Sequence, residues 1–406
     1  MPTARVLRAY ITSGLLFMLI PGTFLGVVNL MQASANQSVG LVSSAWLQAH
    51  GHAQVFGWVG SFILGIGFYS LSQQSAGAPV RTGAAWACWW LWTLGVSLRW
   101  LANVYLWQWR VLLPVSAALE LTAFGIFLTS VSGHRPDSPR PLDLWIAVVM
   151  TGALGFGSTL LVNLTLSVQL AIQGDSPALP HRTDQFFLVL IAWGFLAPFI
   201  WGFSTKWLPV FLGLAPRRPA AIVAGVAINV LGIVLTLTGH LAIAVWCFLV
   251  AALLVAAGIR IFERRALEPK TRGVHAAFPA FVRTAYVWLV IAAALGMAAA
   301  RWDFSGGIWG ASRHAFTVGF VSVMIFSIGQ RVLPAFASAG VLWSPRLMGW
   351  SVILLVLGCT LRVSSEIIAY QHYGEWAWPI LPVSAIIEMV AFSGFAANLF
   401  TTVYRS

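Results

Sequence analysis

The sequence predicts an all-α integral membrane protein with twelve transmembrane helices, and three observations support this fold class. Of the 406 residues, 59% are hydrophobic and only 8% are charged, against about 25% charged in a soluble domain. Apolar stretches of membrane-spanning length recur along the whole chain. The basic residues behind the net charge of +12 fall in short loops between these stretches, as in membrane proteins, so nucleic acid is not an expected partner.

The predicted spans follow from a requirement of about 20 mostly apolar residues per crossing. They cover 9–30, 44–72, 84–106, 111–132, 143–172, 184–213, 219–239, 241–260, 281–300, 313–338, 346–370 and 377–403. The first stretch could instead be a signal peptide behind Arg5 and Arg8, but it is longer than the usual apolar region of roughly 7–15 residues. We therefore predict a spanning helix there.

The distribution of lysine and arginine predicts the orientation of the chain. With the N-terminus inside, six of the 23 basic residues fall on the outer side or within outer helix ends: Arg99, Arg110, Arg182, Arg301, Arg313 and Arg362. All the others lie at inner ends and inner loops. The sequence therefore predicts a bacterial cytoplasmic (inner) membrane protein, with the lipid bilayer as its surroundings and both termini in the cytoplasm.

Cysteine contributes no recognisable site. Cys88, Cys247 and Cys359 all lie inside apolar stretches, and the chain has no CxxC or CxxCH motif. A disulfide framework, a CxxC metal site and a covalently attached haem are therefore not expected.

The chain repeats part of its own sequence. The matches pair Leu94–Arg99 with Leu357–Arg362, Leu113–Glu120 with Leu381–Glu388, and His52–Gly57 with His314–Gly319. The first four predicted helices thus recur as the last four. The middle four resemble a degenerate copy, anchored by Lys206–Phe211 beside Arg331–Phe336 and bearing Asp184 and Gln185 where a histidine is expected. We predict three pseudo-symmetric four-helix units, at 1–135, 136–275 and 276–406.

Two histidines at equivalent positions suggest a haem site. His52 and His314 lie near the outer ends of the second and tenth helices, and Gly57 and Gly319 leave room for a flat macrocycle. Two imidazoles on facing helices can supply both axial ligands of a b-type haem. The alternative is that each histidine only hydrogen-bonds a neighbouring helix and the glycines serve helix packing.

Charged residues inside spanning helices are costly and are usually paired or functional. Arg99 and Arg362, together with Arg313, are candidates to bind haem propionates as planar donors. The alternative is an internal ion pair, either of Arg362 with Glu366 or of each arginine with a repeat glutamate. The repeat glutamates are Glu120 and Glu388, and they could be proton-path carboxylates or neutral groups bonded at a repeat interface.

His50 adds a second candidate position. It lies two residues before His52, so on a helix the two rings point about 200° apart. His50 could therefore contribute to a second metal site with His181 or Asp184, for which copper is the candidate ion.

The twelve helices and the histidines on the second and tenth of them resemble the core subunit of haem–copper oxidases and nitric oxide reductases. That superfamily also needs copper-ligating histidines on helices six and seven and an HxH pair on helix ten. Here helix six shows Asp184–Phe187, helix seven offers only Asn229, and helix ten has the single His314. We therefore expect the binuclear oxidase centre to be absent.

A closer resemblance is to the NnrS family of twelve-helix membrane proteins, which is associated with haem, copper and nitrosative stress. The second helix reads His-Gly-His-Ala-Gln-Val-Phe-Gly over 50–57, and the tenth reads Arg-His-Ala-Phe-Thr-Val-Gly over 313–319. A run typical of the family covers Gly202 to Phe211. Gln54 stands where the family often has an acidic residue, so this sequence departs from the pattern there.

The resemblance implies a haem-binding protein with a one-electron redox or nitric-oxide-handling role in stress resistance. Its partners would be a periplasmic or membrane electron donor and nitric oxide, and the sequence leaves open whether it is an enzyme. A proton-coupled transporter is one alternative, with Glu120 and Glu388 as proton carriers. A haem-free scaffold subunit of a respiratory complex is the other.

Overall fold

The computed structural model describes residues 2–72, 81–132, 142–336 and 340–405. Within these ranges the chain forms twelve long helices and no strand. They are α1 (Ala4–Asn36), α2 (Ser44–Ser72), α3 (Thr82–Tyr105), α4 (Trp109–Ser132), α5 (Leu144–Gln173), α6 (His181–Leu212), α7 (Pro219–Leu237), α8 (Leu241–Ile259), α9 (Phe278–Trp302), α10 (Gly307–Phe336), α11 (Pro345–Tyr370) and α12 (Glu375–Tyr404).

Eleven of these helices are long and apolar enough to cross a membrane. The exception is α3, which has 24 residues but includes five tryptophans and Arg99, and these polar-tipped and charged side chains lower its mean hydropathy. The multi-pass membrane architecture is therefore confirmed for eleven helices. The crossing by α3, which packs lengthwise against α4, stays a prediction.

Some helices begin earlier than the sequence predicts, and α10 shows why. It begins at Gly307, not at 313, because Asp303 lies just upstream and caps it. The Asp303 carboxylate accepts hydrogen bonds from the backbone N–H groups of Gly306 at 2.8 Å and Trp309 at 2.7 Å. These contacts satisfy N–H groups that the first helical turn leaves without partners. His314 therefore lies two turns inside α10.

Each helix packs beside the next one along the chain, and α12 returns to contact α1. Three of the helices, α2, α6 and α10, lie further inside the molecule than the candidate spans around them. Their most apolar stretches are 61%, 72% and 67% buried, against 28–50% for the other candidate spans. The interior of the molecule is therefore built from these three helices.

Aromatic contacts join the three inner helices pairwise. Phe56 of α2 lies 6.5 Å from Phe195 of α6, between ring centroids. Trp193 of α6 lies 5.2 Å from Phe316 of α10, and Trp58 of α2 lies 6.4 Å from Phe326 of α10. Such ring pairs stabilise packing beyond the area they bury. The inner helices thus meet at one central contact region.

Each inner helix also contains a wide π-helical stretch at the same place. The stretches cover Ala53–Gly60, Leu190–Leu196 and Ala315–Ser322, and each follows the first eight or nine residues of its helix. Such stretches are rare and often occur at functional sites. The residue immediately before each stretch is informative. It is His52 in α2, Val189 in α6 and His314 in α10.

The fifth residue of each π stretch is a glycine. A Cβ on Gly57 would lie 2.8 Å from the Cβ of Phe17, and one on Gly319 would lie 2.5 Å from Cγ of Trp288. In the third case the glycine that matters is Gly155 of α5, on which a Cβ would overlap the carbonyl oxygen of Gly194. Gly57, Gly319 and Gly155 therefore allow each inner helix to approach the helix that precedes it in the chain.

Only one of the two predicted boundaries between the four-helix units falls among the described residues. The first boundary, at 135, lies outside the described residues. The second, at 275, falls in the connection between α8 and α9. The three four-helix units stay a prediction.

We predict that Gly57→Ala and Gly319→Ala destabilise the protein, because the new methyl groups overlap Phe17 and Trp288. Overpacking of this kind costs about 1–3 kcal/mol. Thermal denaturation of the detergent-purified protein measures the effect. Gly125→Ala is the matched control, since a Cβ at Gly125 meets no atom within 4 Å, and its melting temperature should not fall.

Candidate functional site

Polar side chains gather at one end of the inner helices, which we call the histidine end and define by His50, His52, His181 and His314. The other ends of these helices point toward basic loops such as Arg217–Arg218. The histidine end therefore concentrates the intramembrane polar groups that the sequence singles out.

His52 pairs with a glutamate across the helix bundle. Its Nε2 lies 2.8 Å from Oε1 of Glu120 on α4, and both side chains are buried. The imidazole also stacks on Phe56, with ring centroids 4.5 Å apart. The structure thus uses the nitrogen of His52 that points away from the backbone for a side-chain contact.

His50 faces a different helix, as the spacing of the two histidines predicts. Its Nδ1 lies 2.8 Å from the carbonyl oxygen of Gly22 on α1. A Cβ on Gly26 would lie only 2.7 Å from Cε1 of His50, so a glycine is needed beside the ring. His50 lies within electrostatic range of His314 and Arg362. The direct contacts of the ring are therefore with α1, while charged groups of α10 and α11 lie within electrostatic range.

His314 is held in a similar way. Its Nδ1 lies 3.0 Å from the carbonyl oxygen of Gly310 and 3.1 Å from Oε2 of Glu366 on α11. A Cβ on Gly310 would overlap Oε1 of Glu366, so this glycine lets the carboxylate approach α10. A proton on Nδ1 that binds the Gly310 carbonyl oxygen leaves Nε2 without a proton.

The ion pair of Arg362 with Glu366, one of the alternatives that the sequence leaves open, is present. Arg362 Nη1 lies 3.2 Å from Oε2 of Glu366, one turn along α11, and both side chains are about 95% buried. The Nε of Arg362 has no hydrogen-bond partner. This guanidinium therefore retains an unused donor beside His50 and His314.

Arg99 on α3 has partners that the sequence did not indicate. Its Nη1 donates to Oδ1 of Asn163 at 3.0 Å and to the hydroxyl of Ser167 at 3.1 Å, both on α5. Its Nε is buried without a partner. Arg99 also lies within electrostatic range of Glu120 and Asp184. Its direct side-chain contacts are nevertheless with Asn163 and Ser167, and not with a repeat glutamate.

Arg313, His181 and Asp184 form a further group at the histidine end. Asp184 on α6 lies within electrostatic range of Arg313, His181 and Arg99. Arg313 donates from Nε to the carbonyl oxygen of Trp309 at 3.3 Å. The structure thus links α3, α6 and α10 electrostatically, but it places His50 with His314 and not with this group.

The two repeat glutamates occupy equivalent positions with different partners. A Cβ on Gly95 would lie 2.9 Å from Cγ of Glu120, and one on Gly358 would lie 2.6 Å from Cγ of Glu388. Glu120 binds His52, whereas Oε1 of Glu388 is buried without a partner. The other oxygen of Glu120, Oε2, also lacks one.

The middle helices contain the same glycine contact, but with an uncharged side chain in place of the glutamate. A Cβ on Gly232 of α7 would lie 2.7 Å from Cε1 of Phe248 on α8, so Phe248 stands where the other copies have glutamate. In the Leu-Gly-x-x-Leu-x pattern of 231–236, Thr236 stands where they have arginine. Val189, the residue before the π stretch of α6, stands where they have histidine, so that position is not the one of Asp184 and Gln185 that the sequence repeat predicted. All three polar positions are therefore uncharged in this copy.

These residues fit a haem better than a copper ion. A metal-ligating histidine normally donates its second ring N–H to a carbonyl or carboxylate, as Nδ1 of His50 and of His314 can do here. Unpartnered guanidinium N–H groups on Arg99 and Arg362 can donate to propionate oxygens. Across the described ranges, no three histidine, cysteine or acidic side chains lie close enough to hold a metal ion. The second metal site around His50 stays a prediction.

Sequence reasoning missed Asn163, Ser167 and the π-helical stretches. A single asparagine in the 30-residue apolar helix α5 is a signal that could have identified Asn163, because buried amides need partners. The π stretches have no such signal beyond their shared glycine.

We predict that Glu120→Ala destabilises the protein more than Glu388→Ala does. The two truncations remove the same atoms beside equivalent glycines, but only the first leaves a buried histidine without its partner. Leaving a buried polar group without its hydrogen-bond partner costs about 1–3 kcal/mol. Thermal denaturation of both variants measures the difference, and equal melting temperatures would contradict it.

Comparisons with known proteins define the fold and the family. A solved heme–copper terminal oxidase, determined as a dimer by cryo-EM, superposes with a TM-score of 0.59 and 12% identity, over 99% of this chain and 84% of that chain. At this identity the likeness concerns the fold alone. No curated protein sequence matches this chain. The NnrS protein family model matches residues 9–406, nearly the whole chain, so the protein belongs to the NnrS family.

Proposed function

We propose that this protein binds a b-type haem at the histidine end, between α2 and α10, and serves in one-electron transfer or nitric-oxide handling. One observation carries the proposal. On each of these two helices a histidine, His50 or His314, has Nδ1 2.8 Å or 3.0 Å from a backbone carbonyl oxygen. Both rings can therefore present Nε2 to an iron.

His314 is the first proposed axial ligand, and α2 supplies the second. The internal repeat selects His52, which is the counterpart of His314 before a π stretch. The local geometry supports His50, because Nε2 of His52 already contacts Glu120. If His52 is the ligand, Glu120 must release that nitrogen or the ring must bind through Nδ1.

Three arginines are proposed to neutralise the propionates. Arg362 and Arg99 have buried Nε atoms without partners, and Arg313 lies next to His314 in the chain. An unpaired buried donor is costly, so an added acceptor would stabilise these side chains. Glu366 and Asn163 would then hold the guanidinium groups in place.

A bound haem would supply reversible one-electron chemistry at its iron. The protein would hold the ring nitrogens of two histidines in fixed directions and exclude water with the aromatic side chains of the inner helices. Membership of the NnrS family makes nitric oxide the candidate small molecule, and an electron donor in the periplasm or the membrane the candidate partner.

We predict that the purified protein shows a low-spin haem spectrum, and that His314→Ala abolishes it or converts it to high spin because an axial nitrogen is lost. A reduced-minus-oxidised visible spectrum measures this. His50→Ala and His52→Ala identify the second ligand, since only one of them should have the same effect. His240→Ala is the control, because its ring is exposed and contacts only Thr238.

The absence of a Soret band in protein from haem-replete cells would overturn the haem proposal. It would leave the second candidate, a proton-coupled transporter built from three four-helix units. The buried, unpartnered oxygens of Glu120 and Glu388 favour it, because intramembrane carboxylates can carry protons. Proton-driven uptake into proteoliposomes would separate this transporter from a haem-free scaffold subunit.

We further propose that the protein lies in the bacterial inner membrane with the histidine end facing outward and both termini in the cytoplasm. The basic loops opposite the histidine end support this orientation. We predict that green fluorescent protein fused after Ser406 fluoresces, whereas alkaline phosphatase fused there stays inactive. An active phosphatase fusion would contradict the orientation.

A further inference from the structure

One buried side chain on α1 has no partner and no part in the groups described so far. Asn29 is only 2% exposed, and both polar atoms of its amide, Nδ2 and Oδ1, lack a hydrogen-bond partner among the described residues. An amide in this state is costly, because folding removes its water and does not replace the lost hydrogen bonds. A bound group with a donor and an acceptor would remove that cost.

The other buried asparagines show that this state is exceptional. Each of them uses at least one atom of its amide in a hydrogen bond, and they are Asn103, Asn163, Asn229 and Asn398. Asn398 uses both atoms, since Nδ2 donates to Oε1 of Gln330 and Oδ1 accepts from the N–H of Ser344. All the asparagines of the sequence lie within the described ranges, and Asn29 is the one whose amide binds nothing there.

The neighbours of Asn29 along α1 are apolar. Leu30 and Ala33 lie in one cluster of buried residues with Tyr370 of α11 and Leu381 of α12. A leucine would suit such surroundings better than an amide does, because it needs no hydrogen bonds. Helix packing alone therefore does not account for Asn29.

The side of α1 that carries Asn29 is the side that meets His50. The carbonyl oxygen of Gly22 lies 2.8 Å from Nδ1 of His50, and a Cβ on Gly26 would lie 2.7 Å from Cε1 of the ring. Asn29 follows Gly26 by three residues, so the two share one side of the helix. Helical side chains lean toward the N-terminus of their helix, and for Asn29 this direction is toward Gly26. The amide therefore belongs to the histidine end.

The open donor and the open acceptor of the amide define the group that fits it. A protonated carboxyl group is complementary, because its carbonyl oxygen accepts from Nδ2 and its O–H donates to Oδ1. An ionised carboxylate only accepts, so it would leave Oδ1 without a donor. In apolar surroundings the uncharged form of a carboxyl group is also the less costly one.

We propose that Asn29 is a further binding residue of the histidine end and holds a carboxyl group of the ligand in its protonated form. This inference rests on the haem proposal, since the propionates of haem lie at the edge of the ring and away from the iron. Asn29 lies seven residues beyond Gly22 along α1, which is about 10 Å, so it is displaced from the point where His50 is held. One propionate is thus bound by Asn29 and the other by the arginines.

Infrared spectroscopy of the full-length protein tests this in the wild type. The protein is loaded with haem that is isotope-labelled at the propionate carboxyl carbons. An isotope-sensitive band of a protonated carboxyl group should be present, and Asn29→Leu should remove it. If the wild type binds haem and shows no such band, the inference is overturned, whether or not the variant folds.

The rate of haem transfer to apomyoglobin is the second measurement. Asn29→Leu should raise this rate about tenfold, because the hydrogen bonds to one propionate are lost. The visible spectrum of the variant should stay low-spin, since its axial histidines are unchanged. Asn36→Leu is the matched control on the same helix, because Asn36 is exposed and donates to the carbonyl oxygen of Gln32, and its transfer rate should equal that of the wild type.

A further control separates a loss of ligand contacts from a loss of stability. Asn398→Leu breaks hydrogen bonds within the protein, so it should lower the melting temperature and leave the infrared band in place. An infrared band and a transfer rate of Asn29→Leu equal to those of the wild type would overturn this inference alone. A wild type without a Soret band would overturn the haem proposal, and this inference with it.

Discussion

The close approach of α2, α6 and α10 is the constraint on which the rest of the structure depends. Gly57 and Gly319 bring two of these helices against α1 and α9, and Gly194 meets α5 through the backbone. The aromatic contacts among the three helices follow from that approach. Because His52 and His314 each precede a π stretch, the same packing fixes the ring positions at the histidine end.

Much of this architecture could be predicted from the sequence. Apolar length predicted twelve spans, of which eleven are confirmed, and repeated motifs predicted that Glu120 and Glu388 occupy equivalent positions. The crossing by α3 was harder to assess because tryptophan is apolar in area but polar at its N–H. The π stretches could not be predicted, since they depend on tertiary packing and leave only a glycine as a trace.

The candidate site shows where periodicity is sufficient and where it is not. Helical spacing predicted that His50 and His52 face different neighbours, and it predicted the pair of Arg362 with Glu366. It could not show which histidine lies toward α10, because that depends on the rotation of α2 within the bundle. The partnership of Arg99 with Asn163 was also out of reach, since it joins helices that are distant in sequence.

The uncharged residues of the middle helices indicate which replacements of intramembrane polar groups the fold tolerates. Val189, Thr236 and Phe248 replace a histidine, an arginine and a glutamate, and none of the three polar groups survives alone. Only the histidine and the glutamate are joined directly, as His52 and Glu120 show in the first copy, whereas the two arginines bind Asn163 and Glu366. A histidine retained opposite Phe248 would be a buried imidazole without its acceptor, which costs free energy. The middle helices avoid that cost because the histidine and the glutamate are both replaced.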